Sequence, residues 1–463
     1  MKKVLILSAL LLFGALALSL VTPRPKQAAF SASGDGWQLG FAAREIPLPE
    51  EQLYIAGYHQ GVTVTGVRDL PRASALWLDT GAEGVLLISV DSIALSSGTA
   101  DRIRGALSDF TAAHPGTSVN VISTHDHESA DTLGLWGPMG LDGKNAAFMD
   151  ALVDAAAQAA EAAYAARTPG SLYFSSTDCS CLLRDSRIPE NYDPNLYAFR
   201  FEPASGAPGV YLVDLAAHAE SMRGDNRLVS RDYPGVLADR VREANGYETV
   251  YVPGAIGGLI MTRELPIPFD AEKNVRQTGE QLAKLLLSIP REKERELAPV
   301  LRFASADITV PLDNTIFLYY AFLGILDNRI LPGDGATGYA VRSSVSLLQL
   351  GDVALALVPG ELFPELENGR FLKPEDPVPL EKLAAEAGFA AMVTVGLAND
   401  ELGYIVPPSQ FLVDPRLPYL TETAKDALGE THYEETNSVG PETARCISEG
   451  FRQLFSLLTP PLS

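Results

Sequence analysis

Short apolar runs alternate with longer helical segments along this chain, and the alternation constrains its fold more than any other sequence feature. Val85 to Val90 and Ser118 to Ser123 have the length and β-branched content of strands. Ala146 to Arg167, closed by Pro169-Gly170, and Lys273 to Ser288 have helical periodicity. The alternation predicts an α/β (mixed α+β) architecture, a layered domain with a β-sheet core flanked by helices. Further strands are predicted at Val210 to Leu215, Glu248 to Val252 and Val353 to Val358, and further helices at Ala100 to Ala113, Pro234 to Ala244 and Glu442 to Leu458.

The length and composition indicate one large folded domain. The chain has 463 residues, of which 46% are hydrophobic and 20% are charged, the usages of a globular protein. No internal repeat and no low-complexity linker divides the sequence after residue 34, so we expect a single domain over residues 34–463. The run Arg291 to Glu296 alternates in charge, which predicts a solvated helix face.

The N-terminus has the pattern of an export segment. Lys2 and Lys3 precede an uncharged, largely apolar stretch from Val4 to Val21. Its 18 residues exceed the usual signal core and approach a membrane span, so residues 1–29 are predicted to be either a signal peptide or an N-terminal signal anchor. The protein is therefore expected to be extracytoplasmic, either secreted or associated with a membrane through this segment.

The net charge narrows the classes of binding partner, and the number of cysteines limits the possible disulfide bonds. The formal net charge of −22 argues against nucleic acid, because an acidic body repels a phosphate backbone. Cys179, Cys181 and Cys446 cannot form an even disulfide set, which leaves either one bridge to Cys446 or three free thiols. The sequence does not indicate the oligomeric state.

A pair of histidines follows one of the predicted strands. His125 and His127 lie directly after Ser118 to Ser123, and residues two apart in an extended segment point the same way. Ligands tend to bind at the C-terminal ends of strands in α/β sheets, so both imidazoles can face one cleft. The alternative is a polar loop with two solvated histidines.

Two further side chains occupy comparable positions. His218 follows the predicted strand Val210 to Leu215, and Glu361 follows Val353 to Val358 through a Pro-Gly turn. Taken alone, His218 is equally consistent with a structural, hydrogen-bonded histidine. Glu361 is one of many acidic residues, and Tyr404 by itself would be interpreted as packing.

Several short motifs, in order along the chain, resemble the catalytic domain of the neutral/alkaline (non-lysosomal) ceramidase family. The matching pieces are Ile55-Ala56-Gly57-Tyr58, Thr124-His125-Asp126-His127, His218-Ala219-Glu220-Ser221-Met222, Pro359-Gly360-Glu361, Asn399 to Pro408 and Tyr433-Glu434. The resemblance implies a single Zn²⁺ ion held by His125, His218, Glu361 and Tyr404. Two imidazoles and a carboxylate are a ligand set that suits zinc.

The same resemblance assigns roles to residues around the metal. It implies that His127 is a proton shuttle or oxyanion donor, that Tyr433 is a second donor, and that Arg187 faces the active site, with Arg184 as its competitor. Gly257 and Gly258 belong to a loop whose backbone N–H groups could approach the substrate or its oxyanion.

Two departures from the family pattern qualify this interpretation. Ile260 stands where the family has a reactive-centre serine, and an aliphatic side chain can neither attack nor donate a hydrogen bond. The chain also stops soon after the catalytic motifs, so we expect no C-terminal immunoglobulin-like domain.

The predicted function is zinc-dependent hydrolysis of an amide in a lipid-like substrate, as in a ceramidase. The alternatives are a non-catalytic family member that binds a ligand or partner, and a cell-envelope amidase or esterase.

Overall fold

The computed structural model describes residues 29–81, 83–426 and 428–458. Almost all of the predicted export segment, residues 1–29, therefore lies outside the described residues. Among the helices that are described, none combines the length and the apolar character needed to cross a bilayer.

The described part of the chain forms two large mixed sheets. The strands of the nine-stranded sheet are β2 (Trp37–Glu45), β4 (Arg72–Asp79), β5 (Gly84–Val90), β6 (Ser118–Ser123), β7 (Thr168–Asp178), β9 (Asn195–Pro203), β10 (Val210–Leu215), β12 (Glu248–Pro253) and β14 (Arg295–Glu296). The strands of the six-stranded sheet are β1 (Phe30–Ser33), β15 (Val300–Leu312), β16 (Arg329–Pro332), β17 (Tyr339–Leu350), β18 (Val353–Leu357) and β20 (Ala391–Val395). Short strands outside these sheets are β3 (Gly66–Val67), β8 (Leu183–Asp185), β11 (Leu228–Val229), β13 (Ile260–Thr262), β19 (Glu361–Leu362) and β21 (Tyr404–Ile405).

The two sheets pack face to face, and helices cover their outer faces. An apolar core joins the sheets, with Leu87 and Phe201 from one and Phe303 and Leu355 from the other. The helices on the outer face of the nine-stranded sheet are Ser97–Ala106, Ala146–Ala165, Asp232–Asn245 and Ala271–Leu287. The helices on the outer face of the six-stranded sheet are Leu380–Glu386 and Thr443–Leu458. The remaining described α-helices are Ser108–Ala113, Thr315–Phe322 and Pro364–Asn368. The predicted layered α/β architecture is confirmed.

Burial on both faces explains the continuous apolar runs in the sequence. Along β5, Val85 and Leu87 point to the second sheet, while Leu86, Ile88 and Val90 point to the helices. A strand that alternates between two apolar layers has no polar face, so its sequence reads as one apolar run.

Two local predictions are wrong. The helix predicted over Ala100 to Ala113 is two helices, which meet at Leu107. The run Arg291 to Glu296 is a 3₁₀ turn followed by β14, and Glu294 forms a buried ion pair of 2.6 Å with Arg200. Pairing with β7 and with this arginine overrides the helical pattern of charges. Each of the three cysteines is a free thiol.

Candidate metal centre

The segment after β6 carries two imidazoles to one hollow. His125 is buried and adopts a left-handed backbone conformation with φ 58°. Its Nδ1 lies 2.8 Å from the carbonyl oxygen of Ile93. Donation from Nδ1 to this carbonyl leaves Nε2 as the free ligand atom. The ring centroids of His125 and His127 lie 4.8 Å apart. Because the backbone of His125 is left-handed and not extended, strand alternation does not set the directions of the two rings.

His218 approaches the same hollow from the end of β10. Its backbone N–H and its Nδ1 both donate to the carbonyl oxygen of Ile260, at 3.0 and 2.7 Å. These two bonds fix the ring, whose centroid lies 4.6 Å from that of His125. The free Nε2 lies 3.1 Å from Oε2 of Glu361.

Glu361 comes from the six-stranded side of the molecule. The chain leaves β18 and turns at Gly360, which has φ 152° and lies so close to the Gly403 carbonyl that a Cβ would sit 2.6 Å from it. Only glycine fits this turn. Glu361 then pairs with Tyr404 between β19 and β21. Its Oε2 lies 3.6 Å from Nε2 of His125.

These donor atoms have the spacing of a tetrahedral zinc site. Bonds of about 2.0–2.1 Å in a tetrahedron place two ligand atoms roughly 3.3–3.4 Å apart. The 3.1 and 3.6 Å separations of Glu361 Oε2 from the two Nε2 atoms bracket this value. His125, His127 and His218 also form a trio whose nitrogens lie within 4.8 Å of one another. Both candidate sets contain His125 and His218, so a divalent cation fits the residues present.

Burial keeps two of the imidazoles neutral. It lowers the pKa of His125 well below its usual value, and the neighbouring rings of His218 and His127 act in the same direction. It also lowers the pKa of His127 to about 4. For His218, burial likewise opposes protonation, but the hydrogen bond and charge of Glu361 outweigh it and raise the pKa. A bound cation would take over the role of that proton, since metal ligands must be deprotonated.

Two tyrosine hydroxyls meet at one side of the hollow. Tyr404 is buried, and its hydroxyl lies 3.3 Å from that of the partly exposed Tyr433. Burial and the charge of Glu361 raise the pKa of Tyr404 well above its usual value. Burial also raises the pKa of Tyr433. Without a cation both phenols are therefore protonated at neutral pH, and both can donate a hydrogen bond.

Arg187 and Gly257 lie close by, but their polar groups already have partners. Arg187 Nη1 is 2.6 Å from Glu434 Oε1, and its guanidinium stacks over Phe363. The N–H of Gly257 donates to the Leu362 carbonyl at 2.9 Å. Of the two loop glycines, Gly258 has a positive φ of 87°.

Ile260 serves the site through its backbone. Its side chain is fully buried, and its carbonyl is the one that accepts both bonds from His218. The hydroxyls of Ser221 and Thr262, the nearest candidates to replace the missing serine, lie 3.2 Å from each other and are fully buried.

A carboxylate that the sequence motifs did not single out lies beside His127. Glu220 Oε2 accepts a 2.5 Å hydrogen bond from the Tyr58 hydroxyl and lies 4.0 Å from His127 Nδ1. Arg223 holds the other carboxylate oxygen at 3.2 Å. Behind the ring, Gly57 has φ 99°, and a Cβ there would lie 2.5 Å from His127 Nδ1. The position of Glu220, two residues after His218, was the available signal.

Comparisons with known proteins identify the fold. No protein-family model matches this sequence, and no curated protein matches it. Among solved structures, the neutral ceramidase from Pseudomonas aeruginosa has a TM-score of 0.72 and 16% identity, over 92% of this chain and 76% of that chain. A structure described as ceramidase complexed with C2 has a TM-score of 0.71 and 16% identity, over 91% of this chain and 75% of that one. The chain therefore has the fold of the neutral ceramidase structures, as the sequence motifs predicted.

Proposed function

We propose that this protein is a zinc-dependent hydrolase that cleaves an amide in a lipid-like substrate, with the ion held by His125, His218, Glu361 and Tyr404. The observation that carries the proposal is the position of Glu361 Oε2, 3.1 and 3.6 Å from the free nitrogens of two histidines. The ceramidase fold supports the amide as the bond and the lipid as the substrate class. Export from the cytoplasm, which the basic and apolar N-terminus favours, is part of the same proposal.

When bound, zinc would supply a Lewis acid that polarises a carbonyl oxygen and lowers the pKa of water. The side chains around it would manage protons and charge. His127 is neutral at pH 7, because burial lowers its pKa to about 4, so it can accept a proton from an attacking water. The partly exposed hydroxyl of Tyr433 can donate a hydrogen bond to the oxygen on which charge develops.

The ion pair of Arg187 with Glu434 gives this arginine a positioning role. The Arg187 guanidinium forms a 2.6 Å ion pair with Glu434, the residue that follows Tyr433. The carboxylate of Glu434 also accepts the backbone N–H of Tyr433 at 2.8 Å. Arg187 therefore holds the backbone that presents the Tyr433 hydroxyl.

The test combines metal analysis with an activity assay. Purified protein should contain about one zinc per chain and should hydrolyse a fluorogenic N-acyl substrate until a chelator is added. Glu361→Gln and His218→Ala should lose both properties. Glu386→Gln is the matched control, because this carboxylate is exposed on a surface helix. Zinc-free protein, or turnover that resists the chelator, would refute the proposal.

One observation favours a second candidate, a member of the fold that binds a ligand without turning it over. Ile260 replaces the family serine, and neither Ser221 nor Thr262 presents an exposed hydroxyl in its place. A panel of ceramides, simpler N-acyl compounds, esters and cell-wall amides separates the candidates. Zinc binding without turnover of any substrate would select the binding role. Turnover of cell-wall amides alone would select a cell-envelope amidase.

A further inference from the structure

One surface helix has the sequence of a buried one. Thr315–Phe322 contains no charged residue, and the uncharged stretch around it extends over thirteen residues, from Asn314 to Leu326. A helix that is apolar on all sides is normally enclosed by protein. None of the residues of this helix is buried, and Tyr319 and Leu323 are 56% and 43% exposed.

A second uncharged segment lies beside this helix. Residues 132–141 also contain no charged residue, and Met139 and Leu141 are 84% and 62% exposed. Trp136 of this loop and Phe317 of the helix pack against the same apolar cluster. We call the two segments, 132–141 and 314–326, the apolar rim. In a chain with 20% charged residues, two neighbouring uncharged segments with exposed apolar side chains mark an interaction surface.

The apolar rim adjoins the metal centre. The cluster on which it packs includes Ala94, next to the Ile93 carbonyl that holds His125, and Ile256, next to Gly257. On the other side, the Gln60 side chain and the Gly61 N–H donate to the carbonyls of residues 135 and 136. Gln60 and Gly61 belong to the same segment as Gly57, which packs against the His127 ring. The rim therefore lies next to segments that position His125 and His127.

We propose that the apolar rim docks the protein on the surface of a lipid bilayer with uncharged or zwitterionic headgroups, so that a lipid amide can pass from the bilayer into the hollow. The inference rests on the proposed function for the lipid class, and on the rim itself for the docking. Apolar side chains accompanied by Trp and Tyr suit the boundary between acyl chains and water. A net charge of −22 would be repelled by anionic lipids, which favours neutral headgroups.

A protein partner fits the rim less well. Protein interfaces surround their apolar centre with a polar rim and contain about ten hydrogen bonds. The exposed side chains of the two segments offer few polar groups for this purpose. A bilayer requires no such bonds from the surface that enters it.

Vesicle flotation tests the docking without requiring catalysis. The protein without residues 1–29, which removes the apolar N-terminal segment as a second route to the membrane, should float with phosphatidylcholine vesicles. In this protein, Leu141→Asp/Leu323→Asp should reduce the bound fraction at least fivefold. Leu457→Asp is the matched control, since Leu457 is 71% exposed. It lies near the Arg302 end of β15, where Arg302 bonds the Leu458 carbonyl, roughly 33 Å along that strand from the rim. This control should float like the unmodified protein.

Three results would overturn the docking proposal. The first is a parent protein that stays unbound, and the second is a double variant that floats as well as this parent. The third is a dimer in light scattering that the double variant converts to monomer, because a second copy would then cover the rim. Hydrolysis of a soluble short-chain amide should be equal in parent and variant. Flotation without any such hydrolysis would refute the proposed function alone, and hydrolysis without flotation would refute the docking alone.

Discussion

Gly57 packs against the imidazole of His127. In Gly57→Ala, the new Cβ would lie 2.5 Å from Nδ1 and 2.6 Å from Cγ of the imidazole. Ordinary contacts between such atoms are about 3.5 Å, so the ring must retreat by about 1 Å. A misplacement of this size at a reacting group lowers the rate about 100-fold, which corresponds to about 2.7 kcal/mol in the barrier. We therefore expect kcat to fall about 100-fold.

Gly61→Ala separates this effect from backbone strain. Gly61 also has a positive φ, 74°, but a Cβ there has no neighbour within 4 Å. Both substitutions should cost about 1–2 kcal/mol in the free energy of unfolding, because an L-residue is strained at positive φ. Only Gly57→Ala should lose activity in the fluorogenic amide assay. Equal activity in the two variants would show that His127 does not take part in the reaction.

Metal content measured on the same two proteins distinguishes the candidate ligand sets. If His125, His218, Glu361 and Tyr404 hold the ion, Gly57→Ala should retain about one zinc per chain. Loss of zinc together with activity would instead assign His127 to the ligands, as the trio of imidazoles allows.

Three further predictions concern the surroundings of the site. Ile260→Ser should cost about 2–5 kcal/mol in denaturant unfolding, because it empties a fully buried aliphatic position, and it should not raise kcat. A serine variant with faster turnover would contradict this. Arg187→Met should cost about 3–5 kcal/mol by leaving Glu434 buried without its partner, and Arg187→Met/Glu434→Gln should recover part of the loss, as measured by thermal unfolding. Burial lowers the pKa of His127 to about 4, so below pH 6.5 the unfolded chain binds a proton that the native state binds only near pH 4. The contribution of His127 to the stability of chelator-treated protein should therefore fall by about 3 kcal/mol across that interval. In urea unfolding at several pH values, the stability of His127→Asn relative to the parent should rise by about this amount as the pH falls.

The sequence identified the strands that are buried on both faces. β5 and β10 are short, mostly apolar runs because one face meets the second sheet and the other meets helices. The long antiparallel pair β15 and β17 was not predicted. β15 mixes Asp307, Thr309 and Pro311 with apolar residues, so its strand identity depends on pairing with a segment about forty positions away.

Breaker residues were a second source of error. In the sequence, Pro169 and Gly170 predict only the end of a helix, but both lie in β7 and pair with β2. Proline is tolerated there because it is near the start of the strand. The Pro-Gly pair correctly predicted that the helix ends here, but it did not predict that β7 begins here.

The candidate site could be assembled only through the ceramidase resemblance. His125 and Glu361 are separated by more than two hundred residues, and no spacing rule connects them. Contacts between residues far apart in the sequence could not be predicted. The hydrogen bond between Tyr58 and Glu220, for example, joins residues 162 positions apart. The buried partners of Arg187 and of the Gly257 N–H were hidden for the same reason.

The hollow is built from both β-layers. His125 and His218 extend from β6 and β10, whereas Glu361 and Tyr404 follow β18 and β20. An ion at this seam would add a further link between two sheets that side-chain packing and backbone hydrogen bonds, such as Asn399 N–H to the Val121 carbonyl at 2.7 Å, already join. The complete ligand set would exist only after the two sheets have packed, because each sheet supplies two of the four ligands. Phe303 lies in the apolar core between the two sheets. Loosening its packing should therefore increase the rate at which the ion dissociates.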